Sequence, residues 1–132
     1  MTADDPSTIV AQHLARAERA LQDTAGSRSM CAIARSGQSF PAAKYHEGAS
    51  SALTQLRRHT GQRQAADLSH LARASARQWR DRAQGRLAAS SDWRAYYTGG
   101  AEALDALAEQ LDSNRAGDVT QGVEHTHGSD RE

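Results

Sequence analysis

One pattern, Tyr-x2-Gly-x3-Ala-Leu-x2-Leu, occurs twice in this chain. It runs through Tyr45, Gly48, Ala52, Leu53 and Leu56, and again through Tyr96, Gly99, Ala103, Leu104 and Leu107. Its spacing is that of one helix face, because a tyrosine and the glycine three residues later are neighbours on a helix. Glycine lets another backbone come close, and the tyrosine ring can lie over that contact with its hydroxyl at the rim. Tyr45, Gly48, Tyr96 and Gly99 therefore read as structural packing residues. A second string, His-Leu-Ala-Arg-Ala, fills residues 13–17 and returns at 70–74. The first pattern repeats after 51 residues and the second after 57, so the second copy would have the shorter connection. Together they predict a duplicated helical hairpin and a bundle with approximate two-fold pseudosymmetry.

The helices themselves follow from periodicity and punctuation. Asp5 suits the cap of a first helix, Pro6 its first turn and Gly26 the position just past its end. Between them Val10, Leu14, Ala17 and Leu21 draw one apolar stripe. A second helix is expected from Pro41 to just before Gly61, with Ala42, Tyr45, Ala49, Ala52, Leu53 and Leu56 inward. A third is expected over about 62–89, on Ala65, Leu68, Ala72, Ala76, Trp79, Ala83 and Leu87, with Gly85 inside it. The fourth begins at the cap pair Ser91 and Asp92 and continues through Trp93, Tyr96, Gly100, Leu104, Leu107 and Leu111. Residues 27–39 lack a clear period, although Met30, Cys31 and Ile33 suit a short turn or packed loop. No stretch alternates with period two. The expected fold class is all-α: a four-helix bundle of two related hairpins over 1–112, followed by a disordered, polar and acidic C-terminal tail over 113–132.

Composition limits how thick such a bundle can be. Alanine supplies 26 of the 50 apolar residues, against 15 for leucine, isoleucine and valine together. Alanine buries little area, so it favours helices that approach closely over a bulky core. The stability margin should be modest, and self-association would be unsurprising. No apolar run approaches the roughly 18 residues of a membrane helix, and no signal peptide is visible at the N-terminus. The single cysteine, Cys31, excludes an intramolecular disulfide and suits a reducing compartment. A cytoplasmic protein with no membrane partner is the expectation.

Charge is balanced overall but uneven along the chain. Residues 44–86 carry a net +6 and residues 95–132 a net −6. Arginine outnumbers lysine 15 to 1, which with the alanine content points to a GC-rich bacterial genome. On the third helix Arg73, Arg77 and Arg80 follow i, i+4, i+7 spacing and share a face, a possible polyanion-binding stripe. The bland alternative is a solvated face partly neutralised by the acidic fourth helix. Ala66, Leu68, Leu71, Ala76 and Trp79 give residues 62–81 a spacing that resembles the helix-turn-helix of common bacterial repressors. That resemblance implies DNA contact by Arg73 and Arg77. It covers about 20 of the 132 residues and departs at the turn, where His70 stands in place of glycine.

Enzyme chemistry finds little footing. His125 and His127 form an H-x-H pair with only Glu124 and Asp130 near them in sequence, and His46-Glu47 lacks the repeated Glu-x-x-His of di-metal bundles. Arg63 and His70 fall within the loose Arg/His spacing of the four-helix HEPN RNases, a spacing that fifteen arginines and six histidines also produce by chance. There is no glycine-rich phosphate loop, G-x-S-x-G or C-x-x-C. No catalytic, cofactor or metal residue is assigned. The expected function is a small non-enzymatic regulatory or protein-interaction protein, with a protein partner or self-association. A DNA- or RNA-binding protein using the basic third helix is the alternative.

Overall fold

The computed structural model describes residues 5–26, 40–60, 64–85 and 90–130, with side chains up to residue 116. Among the described residues are four helices and no strand: α1 (Pro6–Ala25), α2 (Pro41–Arg57), α3 (Ala65–Ala83) and α4 (Ser91–Asp130). They pack as an all-α bundle, the class that the periodicity predicts. Met30, Cys31, Ile33, Arg63 and Leu87 lie outside the described residues, as do the side chains of His125 and His127.

Punctuation sets several of the helix ends. Pro6 opens α1, and Gly26 closes it at φ 67° with its N–H on the Gln22 carbonyl at 2.9 Å. Asp5 holds the N-cap position of α1 without capping it: its carboxylate accepts the Ser7 hydroxyl instead of a backbone N–H. Pro41 opens α2. Beyond its end, the Thr60 hydroxyl donates to the Arg57 carbonyl at 2.8 Å, satisfying one of the acceptors that a helix C-terminus leaves over. The cap of α4 is Ser90, one residue earlier than the Ser91/Asp92 pair: its hydroxyl oxygen accepts the Trp93 N–H at 3.2 Å. Asp92 instead accepts the Phe40 N–H at 3.1 Å and ties the starts of α2 and α4 together.

Two helix lengths differ from the sequence expectation. α3 stops at Ala83, so Gly85 lies beyond its end rather than inside it, in keeping with glycine's cost of about 1 kcal/mol in a helix interior. α4 does not stop at Leu111. Residues 113–116 contain neither glycine nor proline, Gln110 donates to Asn114 at 3.0 Å one turn on, and the helix continues to Asp130. The stretch 113–132 read as a disordered tail thus begins as helix. Beyond residue 116 its side chains lie outside the described residues.

Contacts along the seams fix the topology. Ser69 and Arg73 meet Asp112, Arg80 meets Asp105 and Trp79 meets Gly100, so α3 and α4 run antiparallel. Phe40 meets Asp92 at the start of the α2–α4 seam, and Gly48 meets Tyr96 a few turns on, so these two helices run in the same direction. α4 is central, packed along α2 on one side and α3 on the other, while α1 packs mainly on α2. The largest fully buried side chains are Val10, Leu53, Leu68, Leu104, Leu107 and Leu111. Seven of the seventeen buried apolar residues described are alanine, and these small side chains hold the helices close.

Burial also separates the two sequence repeats. The tyrosine–glycine pattern is in phase in α2 and α4: Gly48 and Gly99, Leu53 and Leu104, and Leu56 and Leu107 are all buried. The His-Leu-Ala-Arg-Ala strings are not equivalent. His13 is half-buried and Leu14 buried, whereas His70 is exposed and Leu71 half-buried. In burial, Ile9 and Val10 of α1 match Leu68 and Ser69 of α3, two residues away from the string alignment. Leu14 and Leu71 nevertheless both pack against the core, so the two strings present overlapping faces with unequal burial.

Candidate interaction surface

The α2–α4 seam is a backbone contact. A methyl group on Gly48 would sit 2.6 Å from the carbonyl carbon of Tyr96, and closer still to its oxygen. A methyl group on Gly99 would sit 2.8 Å from the carbonyl carbon of Tyr45, again with the oxygen nearer. The contact is reciprocal: each tyrosine carbonyl lies against the other helix's glycine. The Tyr45 hydroxyl donates across the seam to Glu102. Burial, then that hydrogen bond and the Glu102 charge, push the Tyr45 hydroxyl up to about 12. Next to Gly99, Gly100 serves the opposite neighbour, since a methyl group there would run into the Trp79 ring of α3, with Cζ3 only 2.7 Å away.

That ring begins a series of aromatic side chains leading from the core to solvent. Trp79 is 4% exposed and packs at 5.4 Å from Tyr96 and 5.8 Å from Tyr97, centroid to centroid. Tyr96 and Tyr97 are half-buried and meet edge to face at 5.3 Å. Trp93 stands outermost, 5.4 Å from Tyr96 and stacked at 6.1 Å on Tyr97. At 45% exposed it is the exposed large apolar side chain among the described residues, where its place on the stripe predicts burial. The Lys44 ammonium of α2 sits over its ring at 5.0 Å. The sequence reading missed this surface, although two signals were present: Trp93 precedes Tyr96 and Tyr97 by one helical turn, and Lys44 is the chain's single lysine.

The three arginines of α3 are placed differently from one another. Arg73 is half-buried; it donates to Ser69 Oγ at 2.7 Å and pairs with Asp112 at 2.6 Å. Arg80 pairs with Asp105. Arg77 is exposed and has no hydrogen bond or ion pair among the described residues. The Ser69 hydroxyl donates to Asp112 at 2.7 Å. That bond, with Arg73's help and against a push upward from burial, holds the Asp112 carboxyl below its ordinary range. The matched spacing was legible: Arg73 and Arg80 are seven apart on one helix, and Asp105 and Asp112 seven apart on its antiparallel neighbour. The helix-turn-helix geometry is absent from 64–81, because α3 runs unbroken through residues 69–72, where the turn would fall. Leu-Ser-His-Leu-Ala contains nothing to break a helix.

His13 is held below its ordinary value by burial and then by the nearby Arg16 charge. His46 packs edge-on to the Tyr45 ring, and His70 is exposed. Among the described residues no group of His, Cys, Asp and Glu is arranged to hold a metal ion, and no helix is long and apolar enough to cross a membrane. Comparison of the chain with protein-family models, with curated proteins and with solved structures finds no match.

Proposed function

We propose that this chain is a small non-enzymatic interaction protein, which docks another protein on the aromatic end of its α2–α4 pair. The observation that carries the reading is Trp93. It is held in place by Tyr96 and Tyr97 yet leaves nearly half of its surface to solvent. A tryptophan side chain so placed offers roughly 100 Å² of apolar area, and covering it would contribute about 2 kcal/mol or more. Rigid tryptophan and tyrosine side chains are the groups that dominate binding energy at protein interfaces, because little entropy is lost in fixing them. The test is co-purification from the native host with the parent chain and with Trp93→Ala, followed by titration of purified components. A partner whose affinity falls by at least about 2 kcal/mol in the variant supports the reading. Equal affinity for both chains, or a parent that binds nothing, overturns it.

Nucleic-acid binding through Arg73, Arg77 and Arg80 is the competing proposal. Two of its three cations are already engaged by Asp112 and Asp105, so a phosphate backbone would have to compete with α4 for them. Retention on heparin that falls steeply with salt would favour it.

A further inference from the structure

Lys44 is the only lysine among sixteen Lys and Arg residues, and its surroundings differ from those of Arg73 and Arg80. Its Nζ lies 5.0 Å from the Trp93 ring centroid and 5.9 Å from that of Tyr96, two rings set at 77° to each other. Glu47, one turn further along α2, brings Oε2 to 3.1 Å from the same nitrogen. Two aromatic faces near a right angle, with a carboxylate completing the corner, are what an ammonium group binds best short of full burial. Glu47 Oε2 is itself covered and accepts no hydrogen bond, so the Lys44 charge is what balances it.

We propose that Trp93, Tyr96 and Glu47 form a recess that takes an ammonium group from another molecule, with Lys44 as its resident occupant. The outer wall, Trp93, is open to solvent, and the lysine arm is long enough to swing aside without disturbing the α2 backbone. No other lysine exists in the chain to fill the place. A tethered occupant acts as a competitor at an effective concentration of about millimolar or more, so a weak outside cation is held off. One that is less strongly hydrated, or carried on a partner with further contacts, displaces it. For a cation borne on a protein, the inference rests on the docking reading above and names the chemistry that face takes; for a free alkylammonium it does not.

Both sources are distinguished by titrating the full chain with tetramethylammonium chloride and with an end-capped glycyl-lysyl-glycine peptide, against sodium chloride at matched ionic strength. The readout is Trp93 fluorescence, isolated by subtracting the response of Trp93→Phe. Lys44→Gln should bind one or both probes at least about tenfold more tightly than the parent, because the resident charge is gone. Adding Glu47→Gln should remove most of that gain. Saturation by the free cation alone identifies a small-ammonium site, and saturation by the peptide identifies a protein-borne one. A response no different from sodium chloride in Lys44→Gln, or one indifferent to Glu47→Gln, overturns the proposal. The unmutated chain gives a second readout, independent of any folding defect: tetramethylammonium should speed acylation of the chain's one ε-amine by releasing it, and an unchanged rate counts against displacement. Ammonium binding without any Trp93-dependent partner would remove the docking reading and keep this one. The reverse outcome would do the opposite.

Discussion

A methyl group is a fine enough probe to test the α2–α4 seam. In a solvent-facing helix, Gly→Ala stabilises by about 0.5–1 kcal/mol, because the unfolded chain loses freedom. At Gly48 and Gly99 the new methyl would meet a peptide carbonyl rather than a flexible side chain, so the helices themselves would have to part. Each substitution should therefore destabilise, by at least the about 1–3 kcal/mol typical of overpacking, and by similar amounts, since the two contacts mirror each other. Gly85→Ala, with only ordinary contacts at 3.6 Å, is the control and should be near neutral. Thermal melts of the three variants decide the matter. His13 allows a test of a different kind. Its folded-state pKa is depressed below 6.5, so the unfolded chain takes up the proton first as the pH falls. Stability is then full above 6.5 and declines from there down through the folded-state value. Denaturant unfolding between pH 7.5 and 5 should show that slope, and His13→Gln should flatten it.

Among the elements, the seam between α3 and α4 shows what pattern alone can and cannot convey. Asp112 ionises more readily in the fold than in the open chain, so its contribution is present above about pH 3.8 and is lost as the pH falls through the lower folded value. Asp112→Asn keeps the acceptor for Ser69 but removes the charge. With both members of the Arg73 pair more than a third exposed, it should cost no more than about 1 kcal/mol at neutral pH and nothing in strong acid. A larger or pH-independent loss would assign the effect to packing instead. The helices were legible because each inner stripe repeats with the helical period, and because Pro6, Gly26 and Pro41 mark ends by chemistry that needs no partner. The close glycine contact was legible for the same reason, as a spacing within one helix. Arg73 and Trp93 were not: whether a side chain is covered depends on the helix beside it, and a stripe read one helix at a time carries no record of its neighbour. The His-Leu-Ala-Arg-Ala match carries less weight, because letters repeat freely in an alanine- and arginine-rich chain and its two copies are unequally buried, most clearly at His13 and His70.

For the molecule as a whole, the last core residue among the described side chains is Leu111, although α4 continues beyond it. A chain ending at Ala116 keeps every core side chain among the described residues and should unfold at the parent's temperature. A marked drop would mean that the remaining segment contributes to the bundle. The tightest seam of that bundle joins α2 to α4, and these belong to different hairpins. Neither hairpin therefore holds both sides of its own best contact. A duplicated hairpin remains our proposal for how this arose, resting chiefly on the α2 and α4 pattern. Cutting the chain between Thr60 and Gln64 should give fragments that are poorly ordered apart and regain helicity when mixed. Each fragment nevertheless carries one tyrosine carbonyl and one glycine three residues apart, so its face is self-complementary. A lone half has, in a second copy of itself, a substitute for the half it has lost.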